Sequence, residues 1–114
     1  MTKYNSRTTE IDGVKFSSLA EARRYGELKL MQNVGQITHL TCHPKFELQP
    51  AFRSQGKWYS AVRYTADFSY RCNGGDTVVE EVKSTATMTT AYSIRKRLFL
   101  YKYGSTLEFR EIIY

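Results

Sequence analysis

The sequence predicts an α/β (α+β) fold in one domain, residues 1–114, with the element order helix, strand, strand, strand, helix, strand and a mixed central sheet flanked by helices. Three observations carry that expectation. A capped, apolar-striped segment follows Ser18, two β-like runs meet at Asn73-Gly74-Gly75, and a second helical segment ending at Gly104 precedes a strand-forming tail that should return to the sheet.

Residues 1–16 are polar and basic, with Lys3, Arg7 and Lys15, and the Ile11-Asp12-Gly13-Val14 turn suggests a short hairpin within an N-terminal arm or edge strand. Ser18-Leu19-Ala20-Glu21 has capping-box form and opens a helix. Leu19, Ala22, Tyr25 or Gly26, Leu28, and Leu30 or Met31 give it an apolar stripe until Asn33 and Gly35 stop it. Alternation over Phe46–Leu48 suggests a strand closed by Gln49-Pro50, and Ser54-Gln55-Gly56-Lys57 is a turn before Trp58-Tyr59. Next come the two runs Tyr64–Tyr70 and Val78–Lys83, and then a hydroxyl-rich link over 84–87. The second helix is expected from about Thr89 to Tyr103, with Ala91, Ile94, Leu98 and Tyr101 on its core side, and the last strand over Leu107–Tyr114.

Lysine and arginine outnumber the acids 17 to 11, a net charge of +6, and a chain this basic usually meets a polyanion, most often nucleic acid. No apolar run approaches the ~20 residues that a bilayer crossing needs, so no membrane role is expected. The start Met1-Thr2-Lys3-Tyr4-Asn5 lacks the apolar core of a signal peptide, which points to a cytoplasmic protein with reduced thiols. His39, Cys42, His43 and Cys72 form a loose set of soft ligands, but their spacing fits no common structural zinc pattern. The simpler reading puts Cys72 in a strand and both histidines in a loop. Arg95, Lys96, Arg97 and Lys102 crowd the second helix; such a run is often a solvated face, yet its place just after the Val78–Lys83 strand favours contact with a phosphate backbone. The aromatics around it, Tyr92, Phe99, Tyr101 and Tyr103, are expected in the core.

Within Val78-Val79-Glu80-Glu81-Val82-Lys83, Glu81 and Lys83 stand two residues apart on a strand and so share a face. An acid and a lysine side by side can hold a divalent ion and steady an attacking water, although E-x-K alone is also a common ion pair on a solvated face. Asp67 sharpens the reading. If the turn centres on Gly74, Asp67 faces Glu81 across the ladder, about 5 Å apart, where like charges need something positive between them. Lys83 or a metal would serve; a one-residue slip would instead send the acids to opposite faces.

Phe16-Ser17-Ser18-Leu19-Ala20-Glu21, Tyr64-Thr65-Ala66-Asp67-Phe68 and Val79-Glu80-Glu81-Val82-Lys83-Ser84, in that order, resemble the PD-(D/E)xK nuclease superfamily over about residues 15–110. The chain looks most like a group of small phage-encoded nucleases. Its layout is similar to that of endonuclease I-type Holliday-junction resolvases and of the nuclease subunit of heteromeric transposases. The resemblance implies a restriction-endonuclease-like core, with Asp67 and Glu81 as metal-binding acids and Lys83 as the positive group beside the attacking water. Glu21 would be an accessory acid completing the metal site, a role that competes with its place in the capping box. Gln49 resembles a pre-site Gln-Pro element, with Glu47 a bystander on the same strand face. Ala66 stands where the name-giving proline would be.

The activity so implied is Mg²⁺- or Mn²⁺-dependent endonuclease cleavage of DNA, structure-selective on branched substrates, with a homodimer as one arrangement. The helix from Arg95 to Lys102 and the Lys3/Arg7 arm would bind backbone phosphates, and neither His39 nor His43 is expected in the chemistry. Two other classes stand beside this one: a non-cleaving nucleic-acid-binding module on the same fold, and a protein-binding phage factor whose charge is incidental.

Overall fold

The computed structural model describes residues 8–83 and 89–114, so Lys3, Arg7 and the link 84–87 lie outside the described residues. The chain forms β1 (Thr9–Ile11), β2 (Val14–Phe16), α1 (Leu19–Asn33), β3 (Ile37–Cys42), β4 (Lys45–Gln49), β5 (Phe52–Ser54), β6 (Lys57–Tyr59), β7 (Val62–Thr65), β8 (Phe68–Cys72), β9 (Thr77–Lys83), α2 (Thr90–Tyr103) and β10 (Glu108–Ile113). A four-stranded sheet of order β10-β9-β8-β3 organises them. β10 runs parallel to β9 while the other two pairings are antiparallel, so the sheet is mixed. The elements that build it follow the sequence as α1, β3, β8, β9, α2, β10.

β8 and β9 pair Phe68 with Glu80, Ser69 with Val79, Tyr70 with Val78 and Arg71 with Thr77, the register that a turn centred on Gly74 demands. The first sheet strand is Ile37–Cys42, ahead of the segment that alternation marks. Its pattern is interrupted: Ile37 is buried and Leu40 and Cys42 partly so, a spacing of three and then two, because the register against β8 shifts between Thr38 and Thr41. His39 takes a left-handed φ of 59° at this bulge, which inserts a residue and breaks the period of two. The Lys45–Gln49 strand instead pairs with β7, outside the central sheet. His39 therefore lies in a strand, and His43 in the connection from β3 to β4.

Ser18 caps α1, its Oγ accepting the Glu21 N–H at 3.1 Å. The buried face is Glu21, Ala22, Tyr25 and Leu28; Leu19 and Leu30, expected in the stripe, are 61% and 63% exposed. This face packs with Phe16, Ile37, Phe68, Tyr70 and Val78 into one core cluster. The β1–β2 hairpin closes over α1, with the Tyr25 hydroxyl donating to Asp12 at 2.7 Å.

On the other face of the sheet the expectation for α2 needs correction. Ile94, Leu98 and Tyr101 are exposed, and the helix turns Tyr92, Phe99 and Tyr103 inward. The facing surface is aromatic, with Phe46, Tyr64 and Phe109 all around Phe99 at ring-centroid distances of 4.9–5.7 Å. That match decides which of two apolar stripes is buried. Phe99 is fully enclosed, so Phe99→Ala would cost about 3–5 kcal/mol.

Candidate metal centre

β3–β4 and β7–β8 make one long antiparallel hairpin that bends where His43-Pro44 opposes Ala66-Asp67. Cys42 pairs with Phe68 on one side of the bend and Lys45 with Thr65 on the other. Across it the His43 N–H donates to the Asp67 carbonyl at 2.9 Å and the Ala66 N–H to the Pro44 carbonyl at 3.0 Å. Pro44 has no N–H to continue the ladder, and His43 adopts a left-handed φ of 53°, strain that a non-glycine residue tolerates only where its surroundings hold it.

The bend sets His43 beside the start of α1. His43 Nε2 lies 2.6 Å from Glu21 Oε2, and Ser17 Oγ donates to Glu21 Oε1 at 2.9 Å. The Glu21 carboxylate, in a residue only 4% exposed, is thus engaged with these partners. Its backbone N–H completes the Ser18 cap while its carboxylate meets Ser17 and His43. One ligand atom from each of Glu21, His43 and Asp67 falls within 4.8 Å of the other two.

Asp67 is tied to the E-x-K strand from the other side. Its N–H donates to the Glu80 carbonyl at 3.1 Å, and its Oδ2 accepts the Val82 N–H at 2.7 Å. Burial, then the charge of Glu81, pushes the Asp67 carboxyl up to about 7; Glu21 adds to the push, while the Val82 N–H and Lys83 oppose it. Glu81 is also pushed up, first by burial and further by Glu21 and Glu111, against the Tyr64 hydroxyl and Lys83. Three acids therefore share one electrostatic neighbourhood.

Glu81 is absent from the three-residue ligand cluster, and the Tyr64 hydroxyl donates to its Oε1 at 2.5 Å. Lys83 Nζ sits 3.6 Å from the centroid of the Tyr92 ring. Tyr92 in turn donates to Glu111 Oε2 at 2.6 Å, and Lys96 pairs with Glu111 Oε1 at 3.0 Å, where Glu111 is the partner of Glu81 in the parallel ladder. Lys96 is thus committed to an ion pair, and Lys102 donates to the Glu47 carbonyl at 3.0 Å. Arg95 and Arg97 are exposed. Gln49 is exposed at the far end of β4, six residues beyond His43 and so about 20 Å along the strand, away from the cluster.

Sequence reasoning named His43 among the soft ligands and set it aside. The signal was present in His43-Pro44, a break in an extended run, but its meaning depends on pairing β3 with β8, which the bulge conceals. Of the loose set of soft ligands only His43 enters the cluster; Cys42 and Cys72 are free thiols outside it. Among the described residues no helix is long and apolar enough to cross a membrane.

No curated protein and no solved structure matches the chain. Residues 1–112 match DUF1064, described as a protein of unknown function. With nearly the whole sequence inside that match, the protein belongs to the DUF1064 family.

Proposed function

We propose that the protein is a metal-dependent endodeoxyribonuclease of PD-(D/E)xK type with a restriction-endonuclease-like core, acting on branched DNA in the cytoplasm, with a homodimer as its working form. The observation that carries this reading is the convergence of Glu21, His43 and Asp67, from three separate elements, beside a strand that bears Glu81 and Lys83. The donor set fits the metal: carboxylate oxygens suit Mg²⁺ and Mn²⁺, and a neutral imidazole tilts the choice toward Mn²⁺. Glu21, His43 and Asp67 would hold the ion, with Glu81 at hand from the next ladder position. When bound, the ion supplies charge against the scissile phosphate and a more acidic water.

The chain's own groups prepare that site. Ser17 fixes the Glu21 carboxylate, the Val82 N–H fixes that of Asp67, and Tyr64 fixes that of Glu81. Lys83 rests on Tyr92, from which its flexible stem can carry the ammonium to a phosphate. Arg95 and Arg97 offer phosphate contacts on the exposed side of α2. One observation favours a second reading, a nucleic-acid-binding module that does not cut: Lys83 and Glu81 are both engaged by tyrosines, outside the ligand cluster.

Cleavage of duplex, flap, fork and four-way-junction DNAs under Mg²⁺ and Mn²⁺ tests the proposal. Glu21→Gln should leave the Ser18 cap and the fold unchanged, because the cap uses the Glu21 backbone, while cutting the rate at least tenfold. No cleavage by the wild type with either ion would overturn the nuclease reading, and salt-sensitive DNA binding would then separate the binding module from a protein-binding factor.

A further inference from the structure

Beyond β4 and β7 the long hairpin continues into the β5–β6 ribbon, where Phe52 pairs with Tyr59, Arg53 with Trp58 and Ser54 with Lys57. Gln55 and Gly56 turn it, both at positive φ of 49° and 77°, as a two-residue hairpin turn requires. All six paired residues are exposed. Trp58 is 61% exposed, and Phe52 and Tyr59 are each 41% exposed. A ribbon of three pairs is marginal in water, and rings this exposed return little to the fold.

The chemistry of the ribbon is one-sided. From Leu48 to Ala66 the chain carries Arg53, Lys57 and Arg63 and no acid. On one ribbon face Phe52 and Tyr59 stack with centroids 5.0 Å apart and planes 11° apart, and Lys57 Nζ stands 5.4 Å from the Tyr59 centroid. Cross-strand alternation puts Arg53 and Trp58 on the opposite face. Open aromatic faces flanked by cations are the elements of a stacking platform for nucleobases.

We propose that the β5–β6 ribbon is a second contact site for nucleic acid, taking an unpaired base on Trp58 with the adjoining phosphate on Arg53 of the same face, and the backbone that passes round the ribbon on Lys57 of the other. The occupant is a strand with unpaired bases, because a continuous duplex hides base faces in its stack and offers them at forks, loops and ends. This deepens the reading of the protein as a DNA-acting enzyme, and rests on its nucleic-acid partner, by naming the substrate class: duplex DNA adjoining a single-stranded stretch. Nine residue steps, with β4 in their middle, separate His43 from Phe52, a reach of at most about 30 Å at ~3.3 Å each, or roughly nine nucleotide steps of a DNA strand.

Trp58 is the only tryptophan of the chain, so its fluorescence reports on this ribbon alone. The full-length protein is titrated in EDTA, where no metal-dependent cleavage occurs, with a single strand, a forked duplex and a blunt duplex of equal length. The single strand and the fork should quench Trp58, more weakly as salt rises, and the blunt duplex should quench it less. Trp58→Ala should weaken binding of the fork by roughly 5- to 150-fold, the loss of one stacked base, and Trp58→Phe should recover part of it. Arg53→Gln with Lys57→Gln keeps the rings and should lower the salt slope by about two. Emission indifferent to all three DNAs, or wild-type affinity in Trp58→Ala, overturns the proposal. Emission that follows protein concentration and not DNA also overturns it, assigning the ribbon to contact with a second copy. Quenching without cleavage under Mg²⁺ or Mn²⁺ would sink the nuclease reading and leave the ribbon site standing, and cleavage with a silent Trp58 would do the reverse.

Discussion

On the α1 side of β9, Glu80 is fully buried and accepts from Arg24 Nε at 2.8 Å and Nη2 at 2.6 Å, with the Tyr70 hydroxyl as a third donor. On the α2 side, one residue later, Glu81 has the Tyr64 hydroxyl, with Glu111 beside it on β10 and Asp67, the residue just before β8, held to the neighbouring Glu80 and Val82 backbone. The two acids share a strand and a backbone conformation, and they differ in what faces them. Glu80 belongs to a closed network in which its hydrogen bond holds the Arg24 guanidinium more firmly charged. Around Asp67 and Glu81 the repulsion among acids is left standing. Stability alone would pair Asp67 as it pairs Glu80; an excess of buried negative charge is what a bound cation would relieve.

The largest effect should come from opening the closed network. Glu80→Ala leaves Arg24, whose side chain is 17% exposed, and the Tyr70 hydroxyl without their acceptor. Breaking such a pair costs about 3–5 kcal/mol, a large share of the ~5–15 kcal/mol that holds a domain together. Glu80→Gln, which keeps one acceptor oxygen, should cost less. Urea midpoints measure both, and a loss under ~1 kcal/mol for Glu80→Ala would mean that the network does not anchor α1 to the sheet.

Asp67→Asn should move stability the other way. Its carboxyl, ordinarily at 3.8, titrates at about 7 in the folded chain, so between those values the unfolded chain releases a proton that the folded chain keeps. The unfolded state binds fewer protons there, and stability falls as pH rises through that window. At pH 8 without metal the whole penalty is present, and Asn removes it while its side-chain oxygen still accepts the Val82 N–H. A gain on the order of 2 kcal/mol is expected at pH 8 and none at pH 3.5, with Mn²⁺ raising the melting temperature of the wild type alone. Equal melting curves for the two proteins at pH 8 would show that Asp67 carries no unrelieved charge.

How much of this could be read from the chain follows the same division. The Gly74-centred turn fixed the β8–β9 register because hairpin chemistry is local, and the two helices were legible from Ser18, Thr89 and Gly104. What escaped depends on contacts distant in sequence. The bulge at His39 hid β3, and with it the pairing that brings His43 to Asp67. On α2 two apolar stripes compete, and only the aromatic surface of Phe46, Tyr64 and Phe109 tells which is buried. Glu21 was legible as a candidate, but the partner its carboxylate meets, His43, comes from 22 residues further along the chain.

The smallest effects sharpen the comparison on α2, where four basic residues look alike in sequence. Lys96 is half-buried against Glu111, so Lys96→Ala removes one of the three groups, with Tyr92 and Lys83, that hold that carboxylate below the usual range against its burial. The loss should be about 1 kcal/mol, because the pair is only partly shielded from water. DNA affinity and its salt slope should stay at wild-type values, since the ammonium already has its counter-ion. Arg95→Ala with Arg97→Ala should do the opposite: stability within ~0.5 kcal/mol of wild type, and a salt slope of DNA binding lower by about two. The loss should be uniform across DNA sequences, because phosphates carry no sequence information. If Lys96→Ala lowers the salt slope while the double variant does not, the phosphate contact lies on the sheet side of α2, beside Glu111 and the Asp67 cluster, and the exposed face that carries Ile94, Leu98 and Tyr101 is not where DNA passes.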